Sequence, residues 1–569
     1  MATAGGEGRE GVRGFMLMKR RCADMVLFNG TVFTGRSGEV LRGGVAIREG
    51  RILLVGSSPQ VLATCGDGTV RVDLEGRSVI PGIVDSHNHV IAAGRMMQGV
   101  MCFGCRNMDE LKERVRQCAE RLGPGEWVEG GGWIECQFEE YRAPTRWDLD
   151  EAAPANPVVL RRLFGMVVAN SLALRMAGID RHTPSPPGGR IDRHPETGEP
   201  TGILRDAAVA LLARAMPRKS GPEAVSEMER AIETALGEYL RWGITSVIDP
   251  GVTPLGMRAY QNLYMAGRLP LRVDMMPVWH GLRPQDVGEE LDQRIAHLGI
   301  YTGFGDRWLR VGALKMAIDG GLGTRTAWCS WPFKDGTRSQ VPLRLEVGRL
   351  EEHLRRALEA GWSVGIHTCG DRAQDAACSA FRRALEGAAF DQQRSRHNII
   401  HGYFPTDSSL KIMADCGLAV SLQPGFIWVE GDLYFDIAPE EKLRDFKPIR
   451  RYLEAGVVVA ANSDMTSAHY NPFLGMYAAV TRRTARGRVV GGAHALSIRE
   501  ALPLFTLNGA YLSGEEGIKG SLEPGKLADL AVLAGELDCP AEELLAMRVD
   551  LTVIEGRVVH DARGLVPKN

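Results

Sequence analysis

The sequence predicts an α/β fold: a (β/α)8 TIM-like barrel, a small β-sandwich composite domain formed by both termini, and an inserted subdomain after strand one. Eight short, apolar, mostly β-branched runs alternate with helical patterns through the middle of the 569-residue chain, which is typical of a parallel sheet. Two β-rich ends flank this middle. A long interval separates the first apolar run from the second and predicts the insertion.

The termini differ from the middle of the chain in composition and in their pattern of strands and turns. Residues 1–22 are rich in glycine and charge, and we expect a disordered extension there. Residues 23–80 and 516–569 carry short strands broken by Asn-Gly and Glu-Gly turns, which predicts one composite β domain. Residues 81–515 are left for the barrel. Within them, residues 103–215 are too long for a simple crossover and predict a subdomain that covers the substrate.

The barrel strands are predicted from apolar runs that end in polar residues. In chain order they are VIPGIVDSHNH (Val79–His89), ITSVID, LRVDMMPVW, LRVGALKMAID, WSVGIHT, HNIIHG, LAVSLQPG and VVVAANSD. Helical periodicity predicts crossover helices at Glu223–Trp242, Arg349–Ala360 and Asp371–Glu386. Eight parallel strands with crossovers indicate a closed barrel.

Composition excludes several classes of function. The 68 basic and 70 acidic residues give a formal charge of −2, so no overall field favours nucleic acid or an anionic membrane. No apolar run approaches the roughly 20 residues that span a bilayer. The N-terminus lacks the apolar core of a secretory signal, and eleven scattered cysteines indicate reduced thiols in the cytoplasm. The expected partner is a small-molecule substrate, and a homo-oligomer is left open.

Histidines collect where predicted strands end. Five of the 13 lie at or just past a strand end: His87, His89, His280, His367 and His401. In such a barrel the carboxyl ends of the strands carry function. His87 and His89 are two apart, so their side chains point to one face and can share a cation. A pair of buried, hydrogen-bonded histidines would show the same spacing, but the further histidines favour a divalent metal, zinc being expected, as one or two ions.

Lys315 and Asp464 complete the set of strand-end candidates. Arginine supplies most of the basic residues, so a lysine within an apolar strand needs a specific reason. Lys315 could pair with Asp319 or Asp464, form a Schiff base, or be carboxylated by carbon dioxide; the nearby histidines favour the carbamate. Asp464 could bind a metal and act as general base, or cap the turn that follows it.

These stretches resemble the amidohydrolase superfamily. PGIVDSHNH is similar to its first-strand motif, GSLEPGKLADLAVL to its return into the β domain, and TLNGAYLS to the helix that precedes this return. The chain further resembles the amidohydrolase 3 group, which includes N-substituted formamide deformylases, from about Ala23 to Val559. The segments that carry this second resemblance include LKMAIDGGLGTRTA, IHTCGDRA, GGGWIECQF, VVANSLALRMAGI, GGRIDRHPETGEPTGILRD and NPFLGMYAAVTRRT.

The resemblance implies a ligand set. His87 and His89 would bind the more buried metal with Asp464, and carboxylated Lys315 would bridge to a second metal. His367 and His401 would bind that second metal, and Asp464 would also be the catalytic general base. Four further residues stand in stretches that resemble pocket-facing segments of the group: Trp133, Asn170, Asp319 and Arg325.

The resemblance also implies an activity, the hydrolysis of carbon–nitrogen bonds other than peptide bonds by a metal-activated water. Alternatives are the same centre acting on an ester or lactone, and a non-catalytic binding protein. The chain departs from the group's pattern at Phe164-Gly165-Met166, where the group commonly has Asp-Gly-His, and at Ile400, where it tends to have Glu. These exchanges predict a small, uncharged or weakly charged substrate with an apolar arm.

Overall fold

A computed structural model gives the structure of the chain for residues 22–36, 38–162, 165–217, 219–280, 299–339, 347–386 and 395–567. The expected disordered extension therefore lies outside the described residues except for Cys22, and so does Phe164.

The described residues form 23 strands in three sheets. In chain order they are β1 Met25–Phe33, β2 Val40–Arg48, β3 Arg51–Gly56, β4 Val70–Asp73, β5 Ser78–Pro81, β6 Ile83–Asp85, β7 Val100–Met101, β8 Val128–Trp133, β9 Val158–Arg162, β10 Met166–Ala169, β11 Gly189–Arg193, β12 Pro200–Asp206, β13 Ile244–Val252, β14 Arg272–His280, β15 Leu309–Val311, β16 Leu314–Ala317, β17 Val364–Thr368, β18 Asn398–His401, β19 Ala419–Leu422, β20 Val459–Ala461, β21 Leu530–Leu533, β22 Val549–Ile554 and β23 Arg557–Asp561.

Parallel strands form a nearly closed barrel in the middle of the chain. They run in the order β6, β13, β14, β16, β17, β18, β19, β20, with β15 also paired to β14. Residues of these strands are nearly all buried, as expected for strands covered on both faces. Small and medium apolar side chains, such as Ile248, Met276, Ala313, Ile400 and Ala460, pack together from strands around the barrel. The predicted order of strands along the chain is confirmed.

The first predicted strand is wrong in one respect, because it is two strands in two sheets. β5 pairs with β21 and β1 in the terminal sheet, whereas β6 pairs with β13 in the barrel. Pro81 ends β5, and Gly82 separates the two strands. Proline lacks the hydrogen that would continue a ladder, and the amide of Gly82 instead donates to the Asp529 carbonyl at 2.8 Å. The chain crosses from one sheet to the other at this point.

Both ends of the chain contribute to one eight-stranded sheet. Its order is β23, β22, β21, β5, β1, β2, β3, with β4 beside β1. Side chains from both ends, including Leu27, Val45, Leu530 and Leu551, share one hydrophobic core. Buried Arg272 on β14 fixes this sheet to the barrel through two hydrogen bonds of 2.8 and 3.0 Å to Asp529. The two-layer sandwich remains a prediction.

Between β6 and β13 the chain forms a separate six-stranded sheet, in the order β11, β12, β10, β9, β8, β7. It falls mostly within the interval for which the sequence predicts an insertion, whose boundaries remain a prediction. Buried Arg162 attaches this sheet to the barrel side, since it contacts Glu135 at 2.8 Å and Glu430 at 3.4 Å. Removing one partner of such a buried pair costs about 3–5 kcal/mol, so the attachment is firm.

Helices cover the barrel and connect its strands. Within the described residues they are α1 Ser58–Leu62, α2 Val90–Gln98, α3 Met108–Leu122, α4 Arg146–Ala152, α5 Ser171–Met176, α6 Val209–Ala213, α7 Gly221–Leu240, α8 Pro254–Met265, α9 Val347–Glu359, α10 Asp371–Leu385, α11 Asp407–Asp415, α12 Gly425–Ile437, α13 Glu440–Leu443, α14 Ile449–Glu454, α15 Pro472–Thr481, α16 Ile498–Ala501 and α17 Leu507–Leu512.

The three helices predicted from periodicity are present with boundaries shifted by at most two residues. The longest of them, α7, begins after Ser220 with a proline in its first turn and buries Ile232, Leu236 and Tyr239 on one face. Among the helices that the structure describes, none combines the length and the apolar character that a membrane crossing requires.

Candidate metal centre

The ends of the first and last barrel strands are joined by polar contacts. Asp85, at the end of β6, accepts hydrogen bonds from the backbone amide and the hydroxyl of Ser463 at 2.9 and 2.6 Å. The amide of Asp464 donates to the His87 carbonyl at 2.9 Å. This pairing places the Asp464 carboxylate 3.8 Å from His87 Nε2 and 3.4 Å from His89 Nε2. Residues nearly 380 positions apart in the sequence thus form one group.

A second group forms at the ends of β17 and β18. His401 Nε2 lies 2.8 Å from His367 Nδ1, and the two ring centroids are 4.2 Å apart. The other Asp464 oxygen, Oδ2, lies 3.9 Å from His401 Nδ1. The rings of His87 and His401 are 5.9 Å apart. One carboxylate therefore contacts both groups of imidazoles.

Two residues of the site have an unusual backbone conformation. His401 has φ 77° and Asp464 has φ 48°, the left-handed region that side chains disfavour. Such conformations cost on the order of 1–3 kcal/mol and persist where surrounding contacts hold them. Here they lie at two strand ends that carry candidate ligands, which is where strained residues commonly cluster.

Burial controls the protonation of the histidines that face inward. It lowers the pKa of His87 well below its usual value, and the nearby Lys315 ammonium lowers it further. Burial also lowers the pKa of His401 well below the usual value, with His367 adding to the effect. Both imidazoles are therefore neutral near pH 7 and carry a lone pair that a cation can accept.

Lys315 is placed by β16 inside this cluster. Its side chain is buried, and Nζ lies 3.4 Å from His87 Nε2. Asp319, which the sequence offers as an ion-pair partner for Lys315, has contacts to the backbone. Its carboxylate accepts hydrogen bonds from the amides of Trp328, Cys369 and Gly370 at 2.8 to 2.9 Å, and this holds the loop after β16 against the end of β17.

The donor sets fit a divalent cation. The ligand atoms of His87, His89 and Asp464 lie within 4.8 Å of one another, and a second set of the same spread consists of His367, Cys369 and His401. Imidazole nitrogens with a carboxylate oxygen are the ligands that zinc and related ions prefer.

The sequence analysis did not single out Cys369. It stands two residues after His367, the same spacing as His87 and His89, so the H-x-C pattern was a signal available in the sequence. Its Sγ lies 3.6 Å from His367 Nε2. Burial raises the pKa of this thiol well above its usual value, and the Asp319 carboxylate raises it further.

Asp249, at the predicted end of the second barrel strand, lies within β13. Its carboxyl is buried and accepts a hydrogen bond of 2.6 Å from the Tyr260 hydroxyl. Burial raises the pKa of Asp249 to about 7. Asp249 therefore lies in the same barrel as the candidate histidines, but its carboxyl is hydrogen-bonded to Tyr260.

Two of the predicted substrate-binding residues have structural contacts instead. The Trp133 side chain is buried in the core of the inserted sheet, and its indole nitrogen donates to the Leu160 carbonyl at 3.2 Å. Asn170 is fully buried and caps α5, since its side-chain oxygen accepts hydrogen bonds from the amides of Ala173 and Val158 at 3.0 Å. These contacts stabilise the insertion and leave both side chains without an open surface for a ligand.

The other two predicted substrate-binding residues, Asp319 and Arg325, lie in different parts of the structure. Asp319 lies beside the second group, 3.9 Å from His367 Nε2, and its contacts indicate that it orients the loop. The Arg325 side chain is about half exposed and pairs with Asp335 at 3.3 Å on the surface. Met166 and Ile400 lie in packed cores, one in the insertion and one in the barrel. Neither residue therefore supports the expected preference for an apolar substrate.

Comparisons with known proteins agree with this geometry. A model described as "Amidohydrolase family" matches residues 71–560. The chain is similar to Protein LONG AFTER FAR-RED 3 of Arabidopsis thaliana, with 31% identity over 90% of this chain and 87% of that protein. It is similar to the N-substituted formamide deformylase of Arthrobacter pascens, with 30% identity over 95% of this chain and 99% of that protein.

Solved structures give the same picture. The structure of an uncharacterized metal-dependent hydrolase from Pyrococcus horikoshii superposes with a TM-score of 0.69 and 25% identity, over 91% of this chain and 99% of that one.

Proposed function

The chain belongs to the amidohydrolase family and is a metal-dependent hydrolase, and from this premise we propose that it cleaves a carbon–nitrogen bond other than a peptide bond in a small amide-like substrate. The observation that carries the proposal is the position of Asp464. Its carboxylate contacts the His87 and His89 group through one oxygen and faces His401 through the other.

In this proposal the residues of the site have separate roles as metal ligands and as general base. His87, His89 and Asp464 would hold one divalent cation, and His367 and His401 would hold a second, zinc being the expected ion. A cation at such a site supplies acidified water and polarises a carbonyl oxygen. Asp464 accepts the proton of the attacking water at a carboxylate oxygen and delivers it to the leaving nitrogen. Burial keeps His87 and His401 neutral, so their lone pairs are available for the cations.

The substrate class is supported by the relatives and by the inserted sheet. The relative from Arthrobacter pascens is named as an N-substituted formamide deformylase, and a formamide is a small amide. The inserted sheet attaches to the barrel through Arg162, and we propose that it covers the site and excludes water. The cytoplasmic location and the oligomeric state remain predictions from the sequence.

A substrate screen tests the reaction class. Purified protein loaded with Zn²⁺ is expected to hydrolyse N-formyl or N-acyl amines, with aromatic or aliphatic arms, at least tenfold faster than matched esters, lactones and dipeptides. The measurement is release of the free amine, with and without a chelator. Activity on esters alone would overturn the assignment to carbon–nitrogen bonds, and fully loaded protein inactive across the panel would support a binding protein instead.

We also propose that Lys315 is carboxylated. The neutral amine would add to the carbon of carbon dioxide, forming a nitrogen–carbon bond and releasing one proton. The resulting carbamate would carry one negative charge shared by two oxygens, and it would replace a buried ammonium that lies 3.4 Å from His87 Nε2 with a group that can bind a cation.

Carbon-13 NMR tests the modification of Lys315. Protein equilibrated with ¹³C-bicarbonate is expected to show a carbamate resonance that Lys315→Ala lacks. We expect Lys315→Ala to lose at least 100-fold in activity and to recover part of it with added short carboxylates, which can occupy the same space. The control is Lys519→Ala, because Lys519 is equally buried but pairs with Glu515. An unlabelled Lys315 in active protein would refute the carbamate.

A further inference from the structure

A second buried lysine lies behind the candidate metal centre and has no part in the proposed function. Lys447 follows α13 and is fully buried. Its Nζ lies 4.3 Å from the ring centroid of Tyr403 and 4.4 Å from that of Phe426. The same nitrogen donates a hydrogen bond of 2.7 Å to Gln423 Oε1. Lysine is rare in this chain, and a buried lysine amine in an aromatic cage is costly, so a specific role is indicated.

Gln423 links this lysine to a candidate metal ligand. Its Oε1 lies 2.9 Å from His401 Nδ1, so one oxygen contacts both the lysine and the imidazole. Its amide nitrogen donates to Asn462 Oδ1 at 3.0 Å, and the Asn462 nitrogen in turn donates to Ser421 Oγ at 2.9 Å. The contacts with Lys447 and Asn462 agree on one orientation of the Gln423 amide, with the oxygen toward His401.

That orientation determines which imidazole nitrogen carries hydrogen. A carboxamide oxygen only accepts, so His401 Nδ1 must hold the proton and donate it. His401 Nε2 is then left with its lone pair, and it is this atom that lies 2.8 Å from His367 Nδ1. If the Gln423 amide were turned round, its nitrogen would donate to Nδ1 and the proton would move to Nε2, where it would block a cation.

We propose that Lys447 is a positioning residue that holds the Gln423 amide and thereby keeps His401 in the tautomer that binds a cation. The proposal rests on the proposed function, in that His401 is taken as a metal ligand. The lysine nitrogen carries hydrogens to donate whether or not it is charged. Partners around a ligand histidine commonly change metal affinity by 10- to 100-fold.

The backbone of Lys447 is held independently of its side chain. Its φ is 45°, its amide donates to the Tyr403 carbonyl at 2.8 Å, and its carbonyl accepts from the buried Arg482 side chain at 3.2 Å. These contacts remain when the side chain is replaced. A substitution of the Lys447 side chain therefore tests the amine with little change to the fold of the segment.

The test is Zn²⁺ affinity, measured on full-length protein by competition with a chromophoric chelator. Lys447→Met keeps the length of the side chain and removes its donor. We expect this variant to bind Zn²⁺ about 10- to 100-fold more weakly. The loss should affect the second ion if the protein binds two, and the single ion if it binds one. Gln423→Leu should give a similar or larger loss, whereas Gln423→Glu keeps an acceptor for His401 and should bind within about threefold of wild type. Co²⁺ spectra provide a second readout of the ligand set.

Two comparisons separate positioning from general destabilisation. Lys519→Met removes another buried lysine, one that contacts Glu515 and Ser246, and should leave Zn²⁺ affinity unchanged. The double variant Lys447→Met/Gln423→Leu should bind no more weakly than Gln423→Leu alone, because the lysine acts through the glutamine. Wild-type affinity in Lys447→Met, or additive losses in the double variant, would overturn the proposal. Wild-type protein that binds no Zn²⁺ would instead overturn the proposed function.

Discussion

Asp464→Asn is expected to lower kcat by about 10²- to 10⁴-fold, the range that a positioned general base contributes. The carboxylate lies 3.4 Å from His89 Nε2 and 3.9 Å from His401 Nδ1, and it is the one carboxylate in the two candidate ligand groups of the described residues. An amide of the same shape cannot accept the proton of water. His87, His89, His367 and His401 remain in the variant, so we expect most of the bound metal to remain.

The measurement pairs steady-state kinetics with metal content on the same preparation. Asp249→Asn is the matched control, because Asp249 is also a buried carboxyl of a barrel strand but is bonded to Tyr260. We expect the control to stay within tenfold of wild type. Activity of Asp464→Asn within tenfold of wild type, with metal retained, would show that another group takes the proton.

The positions of the candidate ligands could be predicted from the sequence because the barrel geometry is regular. Carboxyl ends of parallel strands meet at one face, so polar residues that end β17 and β18 must lie near those that follow β6. What could not be predicted is the junction of the first and last strands. The contact between Asp85 and Ser463 depends on closure of the barrel over nearly the whole chain, and no local pattern reports it.

Similarity of motifs was a weaker guide to the substrate pocket than to the ligands. Trp133 and Asn170 lie in stretches that resemble pocket-facing segments, yet their polar atoms bond to nearby backbone within the insertion. A motif gives the residue types of a segment but not the direction of each side chain. Lys447 shows the converse, since its contact with Gln423 joins two loops and no local pattern at Lys447 indicates it.

The sheet formed by the two termini was predicted because both ends of the sequence have the same pattern of strands and turns. The pairing of individual strands was not predicted. Strands broken by Glu-Gly turns occur at both ends of the sequence, and short strands need partners to bury their apolar faces. The structure pairs Val532 of β21 with Val79 of β5 in antiparallel register. The order of strands within the sheet depends on which edges remain free after the barrel forms, and composition does not specify it.

The double variant His87→Ala/His89→Ala is expected to lose the ion held by the first group and all measurable metal-dependent activity. It removes two of the three ligand atoms of the first group, which lie within 4.8 Å of one another with Asp464. A single carboxylate retains a divalent ion such as zinc poorly. The fold should persist, because the apolar cluster shared by the barrel strands contains neither histidine.

Metal content per chain and a thermal melt on the same sample check this expectation. The matched control is His182→Ala/His194→Ala, which removes two histidines from the inserted segment, where His182 is exposed to solvent. The control should keep the metal content of wild type, since neither residue belongs to the two candidate ligand groups in the described part of the chain. Full metal content in His87→Ala/His89→Ala would place the bound ion elsewhere and would remove the basis for Asp464 as the general base.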